Sequence, residues 1–410
     1  MRAVPLVQPP LAFPLPPLPL DALLRRYGAG DALSCAPVAQ GLLNRGYRLS
    51  TTRGRFFLKH HLDGDTDAIA RQHRATVRLA DRGLPVAPPV PDAHGRTVAV
   101  LDGRCYALHP WVEGRHRNGA ELSADQSRRL GTLLGQVHTH LEQVIPAATA
   151  EDPGGSGPPG TGPDSSDPDE THALISELLA RLRALPRPDS FDELAEHRLL
   201  ERRALLRRCA AHRPPVGAAP AAGWVHGDFH PLNLLYDDSD PADPYGRSEP
   251  VAIVDWDRLG VQPRAEEAVR GAVIFFVRPD GSLDLPKVTA YARAYRRAAG
   301  ASRAELEAAV HRVWWERLND FWMLCWRYQL HDRRADPLFP AASALVVWWT
   351  RRYAAVRDAF GGRTDGEDGA AAGDQDGRPP VCAGPGPYLG PDPGRSQPAG
   401  SSRPARIRAT

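Results

Sequence analysis

Cysteine is scarce in this sequence, and its distribution argues against two kinds of stabilising site. The 410 residues contain five cysteines, an odd number, and no two of them form a CxxC pair. Neither a disulfide framework nor a cysteine-based zinc site follows from such scattered positions, and a reducing, cytoplasmic setting is expected. The cysteines are Cys35, Cys105, Cys209, Cys325 and Cys382.

Long apolar segments are also missing, as is any excess of one charge. No run of apolar residues approaches the ~18 that a transmembrane helix requires. Residues 1–20 are apolar but dense in proline, which prevents a continuous helix, so we expect a disordered Pro-rich N-terminus and neither a signal peptide nor a membrane span. The formal net charge is only +2, so neither nucleic acid nor a membrane is expected as a partner.

Two further segments lack the apolar residues that a core needs. Residues 146–170 consist almost entirely of Pro, Gly, Ser and acidic residues, and residues 361–410 have a similar character. Such compositions bury too little apolar surface to offset the entropy of ordering. We therefore predict a disordered insertion at 146–170 and a disordered tail at 361–410.

The first folded segment, 21–112, shows mainly strand patterns. Residues 46–61 alternate as a β-hairpin does, and residues 97–100 and 105–108 indicate two more short strands. A helical pattern lies between them, over about 67–81, and ends at the usual Gly and Pro stop signals. The sequence predicts a small, β-rich lobe with one helix.

The second folded segment, 113–360, is mostly helical. Ser123 and Gln126 form a capping box before an apolar stripe at helix spacing, and a further helix or broken pair is predicted over 171–211. Short strands at 233–236 and 251–254 interrupt the helical pattern. A β-rich lobe followed by a helical lobe predicts an α+β fold of the bilobal, protein-kinase-like type.

Four residues supply the chemical groups that phosphoryl transfer requires. The reaction needs a carboxylate beside the attacking hydroxyl, a magnesium ion on the phosphates and a cation that holds them. Asp228 and Asn233 have the Asp-x4-Asn spacing of a kinase catalytic loop, and Asp255 ends an apolar strand, where it presents an oxygen ligand suited to magnesium. Lys59 closes a strand of the first lobe. Each residue alone has an ordinary explanation, but their order along the chain predicts a kinase site.

His226 and His230 flank Asp228 in an H-x-D-x-H pattern that has two interpretations. The pattern is compatible with the metal cluster of a hydrolase. In the other interpretation, both histidines brace the catalytic loop through backbone hydrogen bonds. No third histidine stands nearby at hydrolase spacing, and a zinc site leaves Asp255 unexplained, so the bracing role is favoured and the metal-dependent hydrolase is kept as an alternative.

The segment HGDFHPLNLL at 226–235, followed by IVDWD at 253–257, resembles the signature of the aminoglycoside phosphotransferase family, which includes choline and homoserine kinases. The resemblance extends over about residues 38–350 without the insertion. It implies that Asp228 is the catalytic base and that Lys59 contacts the phosphates of ATP. Magnesium would be bound by Asn233 and Asp255.

Two further segments acquire expected roles through the same resemblance. The segment 41–46 stands where the family has its phosphate-covering loop, which places Gly41 and Asn44 beside the nucleotide. The segment 106–114 resembles the hinge between the lobes. The carbonyl of Pro110 and the N–H of Val112 would then contact adenine, and proline is acceptable because only its carbonyl is used.

One position departs from the pattern of kinases. The strand lysine usually pairs with a helix glutamate, but Gln72 occupies the corresponding place in the predicted helix. A neutral amide can donate a hydrogen bond but cannot neutralise Lys59. Either the lysine is oriented less firmly or another acid pairs with it, and a catalytically silent ATP-binding protein is therefore a second alternative.

The acceptor is expected to be a small hydroxyl compound, acted on by a monomer or a homodimer. Helix follows soon after Asp257, which leaves no long activation segment on which a protein substrate would dock. Asp257 and Glu267 favour an amine-bearing substrate, such as an amino sugar, amino alcohol or amino acid, although Glu267 has the alternative role of capping the following helix or forming a salt bridge with it. The tryptophans of the second lobe have two interpretations, a cage for a cation and a packed core.

Overall fold

The structure, a computed structural model, describes residues 18–38, 44–62, 64–145, 166–215, 222–237 and 249–362. Gly41 lies outside these residues, as do most of the predicted N-terminal segment, the predicted insertion and the predicted tail.

A five-stranded antiparallel sheet, in the order β1-β2-β3-β5-β4, forms the small lobe. The predicted hairpin, the helix after it and the two further strands are confirmed, whereas the first strand and first helix were not predicted. The strands are β1 (Ala32–Val38), β2 (Arg45–Thr51), β3 (Gly54–His61), β4 (Ala99–Leu101) and β5 (Arg104–Pro110), and the helices are α1 (Leu20–Tyr27) and α2 (Thr66–Ala80).

The two faces of this sheet have different neighbours. Leu58 and Tyr106 pack against Leu23 and Leu24 of α1 in a small hydrophobic core, on what we call the outer face. Because side chains alternate along a strand, Lys59 extends from the opposite, inner face. The inner face is therefore the one from which Lys59 extends.

Nine helices among the described residues build the large lobe. The predicted capping box is present at the start of the first, where the Ser123 hydroxyl accepts from the backbone N–H of Gln126. The helices are α3 (Ala124–Val144), α4 (Pro168–Arg183), α5 (Ser190–Cys209), α6 (Arg264–Phe276), α7 (Leu285–Ala299), α8 (Arg303–Asn319), α9 (Trp322–Gln329), α10 (Phe339–Arg351) and α11 (Tyr353–Gly361).

The prediction of disorder was wrong at the end of the insertion, because α4 begins at Pro168 and residues 168–170 are helical. The side chain of Asp167 caps the helix by accepting from the N–H of Asp169 at 2.8 Å. An Asp cap followed by proline at the first helical position is a strong start signal. The segment predicted as one helix or a broken pair over 171–211 consists of two helices, α4 and α5.

The helices pack around a core rich in tryptophan. Trp314, Trp315 and Trp349 are at most 1% exposed, which makes them core residues and removes them from any ligand cage. Trp322 and Trp326 of α9 are half-buried, with ring centroids 5.4 Å apart. No helix among the described residues is long and apolar enough to cross a membrane.

Two short antiparallel ribbons carry the chain to the interface with the small lobe. One pairs β6 (Ala222–Val225) with β9 (Gly260–Pro263), and the other pairs β7 (Leu234–Tyr236) with β8 (Pro250–Ile253). The predicted strands at 233–236 and 251–254 are thereby confirmed. The loop from β6 to β7 contains the H-x-D-x-H segment, and Asp255 follows β8 by two residues.

Backbone hydrogen bonds join the second ribbon to the segment after β5 and to the small lobe. Arg115 and Tyr236 exchange two N–H···O bonds of 2.9 Å, and the N–H of Ile253 donates to the Pro85 carbonyl at 2.7 Å. A side chain at Gly114 would meet the Tyr236 carbonyl at 2.7 Å, so this close approach needs glycine. The ribbon that precedes Asp255 is therefore attached to the small lobe through the backbone at Pro85.

Candidate active site

Asp228 lies in the loop 226–233, between β6 and β7, with its side chain 34% exposed. Its Oδ2 is 3.6 Å from Nε2 of His230 and 3.8 Å from Nε of Arg258. Burial raises the pKa of this carboxyl, but the contact with His230 and the charge of Arg258 outweigh burial and hold the pKa below its ordinary value. Asp228 is therefore an ionised and accessible proton acceptor at neutral pH.

Asn233 is oriented by the same loop. Its Nδ2 donates to the backbone carbonyl of Asp228 at 2.9 Å. The backbone carbonyl of Asn233 accepts from the N–H of Val254 at 2.9 Å. No described residue donates to its side-chain oxygen. With the amide nitrogen engaged by the loop, the oxygen is the atom left for an external partner.

His226 is fully buried and both of its ring nitrogens are engaged. Nδ1 accepts from the N–H of Asp228 at 3.2 Å, so Nε2 carries the proton that it donates to the Val254 carbonyl at 3.0 Å. Burial lowers the pKa of this imidazole, which keeps it neutral. A nitrogen that accepts from the backbone and one that donates to it cannot also coordinate zinc, so His226 fits the bracing role.

Glu267 supports the loop from below, from the first turn of α6. It is 3% exposed, and its two oxygens accept from the backbone N–H groups of His226, at 3.1 Å, and Gly227. His138 of α3 contacts the same carboxylate at 2.7 Å. Sequence reasoning placed Glu267 near the substrate or in a helix pair, whereas the structure gives both of its oxygens to the catalytic loop.

Gly227 requires glycine for two reasons. Its φ is +86°, a conformation that L side chains rarely adopt, and a Cβ at this position would lie 2.1 Å from the carbonyl oxygen of Arg258. The loop therefore passes directly against the backbone that follows Asp255.

Lys59 lies between two carboxylates. Its Nζ is 2.7 Å from Oδ1 of Asp255 and 2.7 Å from Oδ2 of Asp257, and its side chain is 11% exposed. Burial lowers the pKa of the lysine, but the two carboxylates outweigh burial and raise it. Lys59 is therefore a fixed positive charge at the junction of the lobes.

The two carboxylates differ in their surroundings. Burial raises the pKa of Asp255, but the adjacent Lys59 ammonium outweighs it and lowers the pKa. Burial also raises the pKa of Asp257, and here it prevails over Lys59 because the charge of Asp255 adds to it. Asp255 is the more exposed of the two, at 44% of its side chain against 18%. Asp255 is thus the ionised, accessible carboxylate of the pair.

Asp255 also has an unusual backbone conformation, with φ 61° and ψ 65°. Non-glycine residues in this left-handed region are uncommon and cluster at functional sites. The following short turn is fixed by the indole N–H of Trp256, which donates to the Ile253 carbonyl at 3.0 Å. The local structure therefore holds Asp255 in a backbone conformation different from that of the strand before it.

Among the described residues, the side chain of Gln72 makes no hydrogen bond to Lys59. Its Nε2 donates to the backbone carbonyl of Asp257 at 2.8 Å. Asn44 also contacts Asp257, because its Nδ2 donates to Oδ2 of that residue. The Oδ1 of Asn44 accepts from the N–H of Leu62 at 2.9 Å. We call Lys59, Asp255, Asp257, Gln72 and Asn44 the Lys59 cluster.

The predicted hinge follows β5. Pro110 is the last residue of that strand and is exposed, and Val112 is half-buried just beyond it. The N–H of Trp111 between them donates to the Arg55 carbonyl at 3.1 Å. The structure therefore leaves Pro110 and Val112 at the junction of the lobes, and Gly41 of the predicted phosphate loop lies outside the described residues.

Three residues of the site were missed by sequence reasoning. Arg258 contacts Asp228, Gly227 allows the close approach, and His138 supports Glu267. Gly227 had a detectable signal, because glycine between a histidine and a catalytic aspartate indicates a special conformation. His138 had none, since a single histidine within an apolar helix pattern is indistinguishable from a core residue.

Oxygen ligands of the site suit magnesium. Asn233 offers a carboxamide oxygen and Asp255 an ionised carboxylate, and the bond from Val254 to Asn233 holds the two segments side by side. Magnesium prefers oxygen ligands and is commonly held by one or two carboxylates together with substrate phosphates and waters. Among the described residues, no group of three or more His, Cys, Asp or Glu could hold a metal without such help. The donor set therefore fits magnesium in company with a nucleotide.

The bilobal fold and this arrangement of residues define a protein of the kinase-like class, and comparison with known sequences agrees. Residues 34–301 match the Phosphotransferase enzyme family. That segment spans more than half of the chain, and the chain belongs to this family.

Two sets of relatives accompany the family match. The chain is 30% identical over 123 residues to a homoserine kinase of Bartonella tribocorum and 35% identical over 100 residues to one of Rhodopseudomonas palustris. These matches cover 30% and 23% of this chain and 38% and 29% of the relatives, so the chain spans well under half of the length of either.

Solved structures show the same fold at low identity. An aminoglycoside phosphotransferase from Alicyclobacillus acidocaldarius superposes with a TM-score of 0.52 and 15% identity, covering 85% of this chain and 96% of that one. A spectinomycin phosphotransferase, in complex with ADP and spectinomycin, superposes with a TM-score of 0.51 and 13% identity, covering 83% and 96%. The predicted α+β, bilobal, kinase-like fold is confirmed.

Proposed function

We propose that this protein is an ATP- and magnesium-dependent kinase that transfers the γ-phosphate to a hydroxyl group of a small, amine-bearing molecule. The observation that carries the proposal is the position of Lys59, with Nζ 2.7 Å from Asp255, on the strand that faces the loop of Asp228 and Asn233. A cation, an oxygen-rich metal site and an ionised carboxylate therefore converge at one junction.

Asp228 has the role of the base. The hydroxyl oxygen of the acceptor attacks the γ-phosphorus, the bond from phosphorus to the bridging oxygen of ADP breaks, and the hydroxyl proton passes to the Asp228 carboxylate. The lowered pKa of Asp228 keeps it ionised before the reaction. Arg258, 3.8 Å from this carboxylate, is placed to contact the acceptor or the transferred phosphate.

Lys59 holds the phosphates, and Asn233 and Asp255 hold the metal. Magnesium held by Asn233 and Asp255 would neutralise negative charge on the phosphates. Asp257 is the counter-charge that keeps the lysine ammonium in position, because Gln72 is neutral and bonds elsewhere. This assigns Asp257 to the lysine and leaves it no direct role with the substrate.

Pro110 and Val112 contact adenine, and Gly41 and Asn44 belong to the loop beside the phosphates. In the structure Asn44 contacts Asp257, so its role includes fixing the counter-charge. His226 and His230 brace the loop, and we assign the same role to Glu267 because its carboxylate is buried and fully engaged.

A small acceptor is supported by the short connection after Asp255. Only β9 lies between the turn at Trp256–Arg258 and the start of α6 at Arg264. So short a connection cannot contain a long activation segment. The relatives named homoserine kinase and spectinomycin phosphotransferase suggest an acceptor with both a hydroxyl and an amine, which fits an amino acid, an amino alcohol or an amino sugar.

The test is ADP release across a panel of amino alcohols, hydroxy amino acids and amino sugars, with magnesium and ATP, compared between the wild type and Asp228→Asn. We expect turnover with at least one class, and a loss of about a hundredfold to ten-thousandfold in kcat in the variant, the usual contribution of a general base. Calorimetric ATP affinity should be unchanged.

Two outcomes would contradict the proposal. Turnover that persists in Asp228→Asn would remove the base assignment. ATP binding without ADP release for any class of acceptor would favour the silent nucleotide-binding protein, for which the neutral Gln72 is the supporting observation.

A further inference from the structure

Three buried side chains connect helix α7 to the loop 226–233. Tyr295 of α7, His138 of α3 and Glu267 of α6 are all at most 3% exposed. The hydroxyl of Tyr295 lies 3.0 Å from Nδ1 of His138. Nε2 of the same imidazole lies 2.7 Å from Oε2 of Glu267. We call these three residues the Tyr295 relay.

We propose that Tyr295 is a positioning residue for the loop that carries Asp228. It acts through His138 and Glu267, and it is buried too deeply to touch a nucleotide or an acceptor itself. The inference rests on the proposed function, because the loop positions a catalytic base only if Asp228 has that role. The contacts of the Tyr295 relay with the loop are independent of that role.

The direction of each hydrogen bond in the relay follows from the charge of Glu267. Burial raises the pKa of Glu267, but the hydrogen bond from His138 and nearby charge outweigh burial and lower it. The ionised carboxylate can only accept, so Nε2 of His138 carries the proton that it donates. In the neutral imidazole Nδ1 is then an acceptor. Burial raises the pKa of the Tyr295 phenol, so its hydroxyl keeps the proton that it donates to Nδ1.

Glu267 connects the relay to the backbone of the loop. Its Oε2, which accepts from His138, also accepts from the N–H of His226 at 3.1 Å. Its Oε1 accepts from the N–H of Gly227. The carboxylate cannot rotate without weakening these three bonds. Since Asp228 is the next residue along the chain, its backbone position depends on how firmly the carboxylate is held.

Close contact between α3 and α7 brings Tyr295 to His138. A Cβ at Gly131 of α3 would lie 2.2 Å from the carbonyl oxygen of Tyr291, and one at Gly135 would lie 3.1 Å from that of Tyr295. Gly131, Gly135 and His138 share one face of α3, because residues three and four apart on a helix are neighbours. The backbone contact of the two helices therefore sets the position of the hydroxyl relative to the imidazole.

Tyr291, one turn earlier on α7, has a buried hydroxyl outside the relay. The residue is fully buried, and its hydroxyl has no hydrogen-bond partner among the described residues. The two tyrosines share one helix and a similar burial, but only the hydroxyl of Tyr295 is connected to the loop. Removing each hydroxyl in turn therefore separates positioning of the loop from packing of α7.

The experiment compares backbone amide exchange, followed by mass spectrometry on the full chain, in the wild type, Tyr295→Phe and Tyr291→Phe. In Tyr295→Phe, Nδ1 of His138 loses its donor and the Glu267 carboxylate is held less firmly. Exchange in the peptide that spans 226–233 should become about fivefold faster or more, and Tyr291→Phe should leave it unchanged. Unchanged exchange in Tyr295→Phe, or equal increases in the two variants, would overturn the proposal.

A double-mutant cycle tests whether Tyr295 acts through His138. In His138→Leu the relay is already broken, so the addition of Tyr295→Phe should not accelerate exchange in the loop any further. Residues that act in one network give such non-additive effects, whereas independent residues give additive ones. An additive increase would show that Tyr295 acts through the packing of α7, and the proposal would be wrong.

Steady-state kinetics separate this inference from the proposed function. With an acceptor that supports turnover, Tyr295→Phe should lower kcat about fivefold and change the KM for ATP little, because the relay does not contact the nucleotide. A higher KM for ATP with unchanged kcat would contradict a role in positioning Asp228. If no acceptor supports turnover in the wild type, the proposed function fails, and the exchange measurement still decides the role of Tyr295.

Discussion

The loop 226–233 and the Lys59 cluster each contribute a carboxylate to the candidate active site, but they are held in different ways. The loop is fixed by hydrogen bonds between its own backbone and the buried side chains of His226 and Glu267, none of which reacts. The Lys59 cluster is fixed by ion pairs among the very groups that are proposed to bind phosphate and metal.

This difference has a functional consequence. A loop held by buried, directional bonds presents Asp228 in one geometry before any ligand arrives, which is the preorganisation that phosphoryl transfer needs. The Lys59 cluster must exchange its internal ion pairs for bonds to ATP and magnesium. Damage to the loop should therefore lower kcat strongly, whereas changes in the Lys59 cluster should have smaller effects that depend on ATP.

The substitution Gly227→Ala should have the largest effect. Its new Cβ would lie 2.1 Å from the Arg258 carbonyl, at a φ of +86°, so the loop must move by a substantial fraction of an ångström. Misplacement on that scale costs about a hundredfold or more in kcat/KM. The matched control is Gly300→Ala, which has φ +66° and no atom within 4 Å of its Cβ. Equal losses in both variants would show that backbone strain alone is responsible.

The substitution Glu267→Gln should have the next largest effect, on stability and activity together. The amide replaces an acceptor with a donor that faces the N–H groups of the loop or His138, which costs about 1–3 kcal/mol of unfolding free energy. We also expect kcat to fall roughly tenfold to a hundredfold as the loop loosens. Urea denaturation and steady-state kinetics measure the two.

Glu266→Gln is the matched control for that variant. Glu266 is buried beside Glu267 and pairs with Arg270 at 3.4 Å, without contact to the loop. It should lose stability and keep kcat. A loss of kcat as large as that of Glu267→Gln would show that Glu267 acts through the helix and has no specific effect on the loop.

The difference in unfolding free energy between the wild type and Glu267→Gln should depend on pH. Burial raises the pKa of Glu267, but the hydrogen bond from His138 and nearby charge outweigh it, so the folded pKa lies below the ordinary value. Its contribution to stability is therefore complete above the ordinary pKa of about 4.3 and is lost as the pH falls through the folded value. The difference in unfolding free energy between wild type and Glu267→Gln should shrink on acidification, and a difference that grows would contradict the assignment.

A change in the Lys59 cluster should be milder. Asp257→Asn leaves Lys59 with Asp255 alone, and Asp255 is also proposed to bind the metal. The lysine then loses one charge-assisted hydrogen bond, so we expect kcat/KM for ATP to fall about tenfold with little change in the KM of the acceptor. Unchanged kinetics would show that Asp257 is not the counter-charge.

The sequence predicted the loop and the cluster unequally, for physical reasons. Asp228, Asn233 and Asp255 could be proposed from the sequence because their predicted roles depend on spacing along one segment and on a strand end, which the chain itself displays. The support from His138, 129 positions from Glu267, depends on how α3 packs on α6. No local pattern encodes that contact.

The Lys59 cluster shows the same limit in another form. The sequence identified Gln72 as a departure and allowed that another acid pairs with the lysine, and Asp257 is that acid in the structure. The sequence alone could not show that Asp257 pairs with Lys59, because the two residues lie on different lobes. The alternative in which Gln72 weakly replaces a helix glutamate is still open to a direct test.

Gln72→Glu provides that test, with the smallest expected effect. If Gln72 were a weakened substitute for the helix glutamate, a carboxylate there would strengthen the hold on Lys59 and raise kcat/KM. The structure indicates the opposite, because the amide donates to the Asp257 carbonyl at 2.8 Å. A carboxylate cannot donate and would repel that oxygen, so we expect kcat/KM to fall about fivefold, equivalent to ~1 kcal/mol. Gln72→Met, which removes the donor without adding charge, should show a similar or smaller loss, and a gain in Gln72→Glu alone would reassign the residue to the lysine.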